Sequence, residues 1–280
     1  MNIRITADST CDLSKELIDR YQITITPLYV VAGDKSYRDG LDIDAARLYD
    51  MVDNQGIKVQ TAAVNVADYL QVFGELRKDC DAVIHFTISS EMSSCYQNAC
   101  LAAQEIGGVC VIDSRNLSTG IGHLAIDAAE MAAEGKSPEE ICAILEEKKN
   151  KLDVSFVLGT LTYLARGGRC SQVTALGANL LKLRPCILVR NGTMSVGQKF
   201  RGKMLKCYKD YIRAMLADVS SIDPHRIFIT DSGLPDDVRQ DLKDYVRSLI
   251  PFEEIFLTQA GCTISGHCGP GCMGVLFYRK

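Results

Sequence analysis

The chain has 280 residues, 47% of them hydrophobic and 24% charged, and 31 basic side chains against 35 acidic ones leave a formal net charge of −4. That length accommodates one large or two medium domains with an ample core, and the longest apolar runs fall far short of a membrane span. A mildly acidic chain without a long basic run argues against nucleic acid or an anionic membrane as the main partner, leaving at most transient membrane contact.

Met1 leads directly into the strand-like alternation Ile3–Ala7 with no signal-peptide apolar region, so a cytoplasmic protein is expected. Further strand-like runs lie at Ile23–Val31, Ala82–Thr87 and Val109–Ile112, separated by the amphipathic stretches Ser14–Tyr21, Asp44–Asp53, Val66–Leu76 and Cys95–Glu105. Alternating β and α elements predict a parallel sheet flanked by helices. Ligands of such sheets bind beyond the carboxyl ends of the strands, where this chain carries Asp8-Ser9-Thr10, Thr87-Ile-Ser-Ser90 and Asp113-Ser114. Helices are expected at Gly120–Glu134 and Pro138–Lys149, and the charge-rich end Glu146–Lys151 reads as a solvated face before a change of domain.

The boundary is therefore placed between an N-terminal α/β domain, residues 1–151, and a C-terminal one, residues 152–280. Beyond it the pattern predicts a strand at Val154–Gly159, a helix with a Gly-Gly turn over Leu161–Gly168, and strands at Arg184–Arg190 and Thr193–Val196. Asn191-Gly192 between the last two is a hairpin signal, so this sheet should be mixed. Helices Lys203–Val219 and Pro235–Ser248 and strands Arg226–Thr230, Glu254–Thr258 and Gly274–Arg279 complete it. The fold class is α/β, as two α/β domains.

Thr87-Ile-Ser-Ser-Glu-Met-Ser-Ser94 places five hydroxyls between a strand and a helix. Ser94 with Gln97 would make a capping box, while a helix N-terminus also offers free N–H groups to an anion through Ser93 and Ser94. No G-x-x-x-x-G-K-[ST] follows, so a carboxylate suits these hydroxyls better than a phosphate. Near the C-terminus, Gly266-His267-Cys268-Gly269-Pro270-Gly271-Cys272-Met273-Gly274 sets one imidazole in a glycine-rich loop that is expected to turn tightly into the last strand. Its G-x-G-x-x-G lacks the strand before, the helix after and the trailing acid of a dinucleotide site. Cys268 and Cys272 form no C-x-x-C pair and no second knuckle stands at zinc spacing, so neither metal nor cofactor is expected. Cys142, Cys186 and Cys207 lie in apolar or helical patterns, where a reduced thiol packs as a small hydrophobe.

Leu161-Thr-Tyr-Leu-Ala-Arg-Gly-Gly-Arg169 reads as a glycine-capped helix end with cations beside it, and Arg201 sits in the basic hinge Lys199-Phe-Arg-Gly-Lys203. Gly168, Arg169 and Arg201 could make a cationic rim for an acidic partner. A serine hydrolase is an alternative, with Ser93 as nucleophile, His267 as base and Asp8 or Asp113 orienting it, although no G-x-S-x-G elbow occurs. A binder of another small carboxylate is a second alternative.

In chain order, Asp8-Ser-Thr-Cys-Asp-Leu13, Tyr37-Arg-Asp-Gly40, Ile88-Ser-Ser-Glu-Met-Ser93, Val111-Ile-Asp-Ser114, Leu161-x-Tyr-Leu-x-x-Gly-Gly-Arg169, Lys199-Phe-Arg-Gly-Lys203 and His267-Cys-Gly-Pro-Gly271 resemble the DegV family over essentially the whole chain. The resemblance implies a long-chain fatty acid held by two α/β domains, the tail pocket assigned to the N-terminal one and the His267 loop to the C-terminal one. It also implies a non-catalytic subunit that presents the carboxyl group to a fatty acid kinase, with the bound fatty acid as its only ligand. By the same resemblance Thr61 and Ser93 would hydrogen-bond the carboxyl group, with Ser94, His267 and Gly269 beside it, while Gly168, Arg169 and Arg201 would face the partner. The chain departs from the family pattern at Glu91, Ser94 and Cys95 and at Ala62-Ala-Val64 after Thr61. A positive φ at 91 or 94 would strain Glu91 or Ser94.

Overall fold

A computed structural model describes residues 1–172 and 183–280. Strands β1 (Ile3–Asp8), β2 (Thr24–Thr26), β6 (Ala82–Thr87) and β7 (Val109–Asp113) form a parallel sheet in the order β2-β1-β6-β7. Every residue of β6 is buried, as expected of a central strand covered on both faces. The covering helices are α1 (Lys15–Tyr21), α3 (Val66–Leu76), α4 (Cys95–Ile106), α5 (Thr119–Ala133) and α6 (Pro138–Lys148). Their starts are written in the sequence. Ser14 accepts from Leu17 N, Asn65 from Asp68 N, and Ser137 with Glu140 forms a complete capping box ahead of Pro138.

The expected strand Ile23–Val31 is two strands. Pro27 has no N–H with which to continue a ladder, and beyond it the chain leaves the parallel sheet. β3 (Tyr29–Ala32) pairs antiparallel with β4 (Lys35–Arg38) and with β5 (Val59–Ala62), giving a separate sheet in the order β4-β3-β5. β4 and β5 are short and partly exposed, so no apolar alternation announced them. The Asp44–Asp53 stretch is a short helix, α2 (Ala45–Tyr49), that runs into a π-helical turn over Asp50–Asn54.

The larger sheet follows from residue 152. Its strands are β8 (Leu152–Val157), β9 (Leu183–Arg190), β10 (Thr193–Arg201), β11 (Ile222–Asp231), β12 (Glu254–Gln259) and β13 (Met273–Arg279), in the order β10-β9-β8-β13-β11-β12. It is mixed: β11 and β12 run parallel, and the other neighbours are antiparallel. The β9–β10 hairpin turns at Asn191 (φ 52°) and Gly192 (φ 83°), the pair of left-handed residues that a two-residue hairpin loop needs. Helices α8 (Met204–Met215) and α9 (Asp236–Leu249) bury Tyr211, Ile212, Leu242 and Val246 against Val275 and Phe277 on one face of this sheet.

On the other face, Leu276 and Tyr278 join the core around α5, as the two-residue side-chain period of β13 requires. α5 is buried from Thr119 through Ala128 because both sheets pack on it, and over those residues its small and apolar sequence suits a stretch of helix without a solvent face. At Gly122 a Cβ would come within 2.7 Å of Leu13 and 3.1 Å of the Cys11 carbonyl, so only glycine lets α5 approach the end of β1 this closely. His123 Nε2 lies 3.0 Å from the Leu276 carbonyl oxygen and ties the same helix to β13.

Candidate functional site

The site lies beyond the carboxyl ends of β1 and β6, where loops from the three sheets meet. In the β6–α4 loop the Ile88 N–H donates to Asp8 (2.7 Å), Ser89 Oγ donates to the Gly192 carbonyl (2.8 Å), and Ser90 Oγ donates to Asp113 (2.6 Å). These residues shape the loop. Ser93 Oγ accepts from Cys95 N at 3.3 Å and so begins α4 itself. The expected Ser94–Gln97 capping box does not form: Ser94 has φ −80° and ψ 4°, not the extended backbone from which a cap side chain reaches back, and it is exposed. Neither Glu91 nor Ser94 has a positive φ, so the departures from the family pattern cause no strain there.

His267 is not in a loop. It stands in the last turn of a short helix, α10 (Cys262–Cys268), which ends at Gly269 (φ 74°) with Pro270 immediately after. The helix was not legible because its N-terminal caps come from far away in sequence: Gly261 N donates to Asp12 (2.8 Å), and Cys262 N and Thr263 N donate to Asp39 (2.7 and 2.9 Å). Gly269 closes it with an N–H bond to the Ser265 carbonyl, and a Cβ there would come within 2.8 Å of Tyr163.

The imidazole Nε2 sits 2.9 Å from Thr61 Oγ1 on β5. Its Nδ1 is buried without a hydrogen-bond partner among the described residues, facing Gly167 at the end of α7 (Thr162–Gly167). A Cβ on Gly167 would lie 2.2 Å from Nδ1, so this glycine makes room for the ring. Burial, reinforced by the charge of Arg169, pulls the His267 pKa down to about 4. The ring is therefore neutral at pH 7 and serves as a hydrogen-bonding group.

Two chambers meet at this ring. The first brings together Thr61, Ser93, Arg169 and His267 above an apolar floor that includes Ile88 and Met92. The second is walled by apolar groups such as Val154, Phe156, Leu164, Cys272 and Leu276. Leu117, Met194, Ile264 and His267 line both, so the two chambers adjoin across these side chains, the first carrying the polar groups and the second almost wholly apolar. Most of the second chamber's wall comes from residues 154–276, with Leu117 and Ser118 contributed from earlier in the chain.

Of the residues singled out in the sequence, Thr61, Ser93, Arg169 and His267 line the polar chamber. Gly269 supports α10, Gly168 is the exposed left-handed cap of α7, and Ser94 and Arg201 are exposed and line neither chamber. A Ser-His-Asp relay is not assembled among the described residues. Ser93 Oγ holds the α4 N-terminus, Asp8 holds Thr10 and Ile88, Asp113 holds Ser90 and Arg115, and the His267 Nδ1 that an orienting acid would grip has no partner. Sequence reasoning missed Leu117, Met194 and Ile264, the shared apolar wall, and Gly167. An isolated apolar side chain carries no local sign that it faces a cavity.

In ligand-free protein, ¹⁵N and ¹H NMR of His267 is expected to report a neutral ring down to about pH 5, with protonation centred near pH 4. The unfolded ring takes its proton near pH 6.5, so this residue subtracts stability as pH falls from 6.5 towards 4. A midpoint at 6 or above would place the ring in water instead of between the chambers.

No described helix is long and apolar enough to cross a membrane. A family profile for DegV, described as an uncharacterised protein of the DegV family, matches residues 2–280. A DegV domain-containing protein of Caldanaerobacter subterraneus is 32% identical over 282 residues, covering 99% of each chain. Among solved structures, a DegV family protein of Thermus thermophilus described for its fatty acid binding matches with a TM-score of 0.91 at 32% identity over 100% of both chains. DegV of Bacillus subtilis, described as a fatty acid binding protein, matches with a TM-score of 0.87 at 27% identity, again over 100% of both chains.

Proposed function

The chain belongs to the DegV family, and from that premise we propose that it binds one long-chain fatty acid and presents the carboxyl group to a partner fatty acid kinase, catalysing no reaction itself. The observation that carries this reading is the pair of adjoining chambers, one with Thr61, Ser93, Arg169 and His267 in its wall and the other apolar beyond Leu117, Met194 and Ile264. A carboxyl group held by hydroxyls keeps an oxygen free for transfer chemistry, and a neutral imidazole adds a hydrogen bond without a second charge. The tail supplies most of the affinity, at about 0.8 kcal/mol per buried CH₂. A small carboxylate would leave the apolar chamber unfilled, and a hydrolase would need an acid on His267 Nδ1. In this proposal residues 1–151 and 152–280 are the two lobes, and Gly168, Arg169 and Arg201 lie on the side that meets the partner.

The test is native mass spectrometry with lipid extraction of freshly purified protein. A long-chain fatty acid in about one-to-one ratio is expected, because a long apolar tail held among buried apolar side chains stays bound through purification. Protein that carries no acyl chain and takes up neither palmitate nor oleate would overturn the proposal.

A further inference from the structure

Asp12 and Asp39 belong to motifs that the cavity itself does not use, since neither lines a chamber. Their work is on α10. The first N–H groups of any helix lack intrahelical acceptors, and the N-cap residue here, Gly261, has no side chain to supply one. Asp39 supplies two acceptors from another sheet. Its Oδ1 takes Cys262 N–H at 2.7 Å and its Oδ2 takes Thr263 N–H at 2.9 Å, while Asp12 Oδ1 takes Gly261 N–H at 2.8 Å.

Two side-chain hydroxyls donate to the same carboxylates. Ser118 Oγ donates to Asp12 Oδ2 at 2.6 Å, and Ser9 Oγ donates to Asp39 Oδ2 at 3.1 Å while accepting the Leu28 N–H at 3.0 Å. Both carboxyl groups are buried, Asp12 at 5% exposure and Asp39 at 3%. A Cβ on Gly261 would come within 3.2 Å of Asp39 Oδ1, so the glycine lets the carboxylate reach the backbone.

We infer that Asp39, assisted by Asp12, is the positioning residue of the head-group site: its carboxylate fixes α10, and through it sets where Ile264 and His267 stand between the two chambers. Ile264 and His267 are three residues apart on one helix face, and both line both chambers. A seven-residue helix nucleates poorly alone, so its register depends on the anchors it is given. Asp39 itself lines neither chamber, and it reaches them through α10 and, by way of Ser9, through the backbone of Leu28 in the wall of the polar one.

The ligand half of this inference rests on the fatty-acid reading; the geometric half does not. The test compares delipidated wild type, Asp39→Asn and Asp39→Ala by NMR of His267 and by release of palmitate after reloading. Asn keeps one acceptor and Ala none, so the effects should be graded. The His267 protonation midpoint is expected to move up from about 4 towards 6.5 as the ring leaves its seat, with palmitate released at least tenfold faster. If neither variant folds, Asp12→Asn, which weakens only the Gly261 anchor, should move both readouts the same way by less. Folded variants with an unchanged His267 signal and midpoint would overturn the inference. A shifted His267 in a protein whose wild type takes up no fatty acid would sink the fatty-acid reading and leave the positioning role standing.

Discussion

Ile264→Trp is expected to abolish the proposed fatty-acid binding while the protein stays folded. Ile264 is half-buried, projects from α10 one turn before His267, and lines both chambers, so a larger side chain there grows into empty space before it meets packed core. An indole at the junction separates the polar end from the apolar one. If it denies the apolar chamber to five methylenes, the loss at about 0.8 kcal/mol each is about 4 kcal/mol, or roughly a thousandfold in Kd. Removing one hydrogen bond at the other end, by Thr61→Val, should cost only about 1 kcal/mol, roughly fivefold. The inequality between the two variants is the informative part, because a site that recognises mainly the carboxyl group would reverse it. Titration of delipidated proteins with palmitate, alongside circular dichroism for the fold, measures both. Binding by the Trp variant as tight as wild type would mean that the tail does not pass this junction.

The elements that could be read from sequence were those whose cause is local. Ser137-Pro138 with Glu140 announces α6, Asn191-Gly192 announces the β9–β10 turn, and the apolar run of β6 announces a central strand, since each signal lies inside the element it specifies. The elements that could not be read take their cause from elsewhere in the chain. β4 and β5 exist because β3 lies between them, and α10 exists because Asp12 and Asp39 cap it across more than 200 residues. The same division holds for the site. Thr61, Ser93, Arg169 and His267 belong to polar motifs that stand out in a list of residues, whereas Leu117, Met194 and Ile264 acquire a role only when the fold leaves space beside them. Ser93 and Ser94 show the limit within a single motif: two adjacent hydroxyls look alike in sequence, and a backbone angle decides which caps the helix and faces the cavity.

Arg226→Met is expected to cost the fold stability while leaving the chambers intact. The Arg226 side chain is 1% exposed and is held by three carboxylates: Glu254 at 2.7 Å on Nε, Asp127 at 3.1 Å and Glu130 at 2.7 Å. Burial alone would lower its pKa, and these carboxylates outweigh that and carry it above the ordinary value. The network joins α5 to β11 and β12, and Lys148 and Tyr278 complete it on Asp127 Oδ2. Methionine fills the volume but leaves Asp127 Oδ1 buried without its cation. Glu130 and Glu254, 37% and 23% exposed, can turn to water. Breaking a buried ion pair from one side typically costs about 3–5 kcal/mol, and the water available to the two glutamates places this variant near the lower figure. For a chain of this length that corresponds to a fall in Tm of roughly 5 °C, measured on delipidated protein so that bound ligand does not mask it. Arg226 starts the stretch of β11 that ends at Thr230 and Asp231 in the wall of the apolar chamber, four to five residues or roughly 15 Å away. The variant should therefore keep its acyl content at 25 °C, in contrast to Asp39→Ala, which should lose ligand faster. An unchanged Tm would show that the three carboxylates are satisfied by water once the guanidinium is gone, and that apolar packing and the hydrogen bonds of His123 and Tyr278 suffice to hold α5 to the larger sheet.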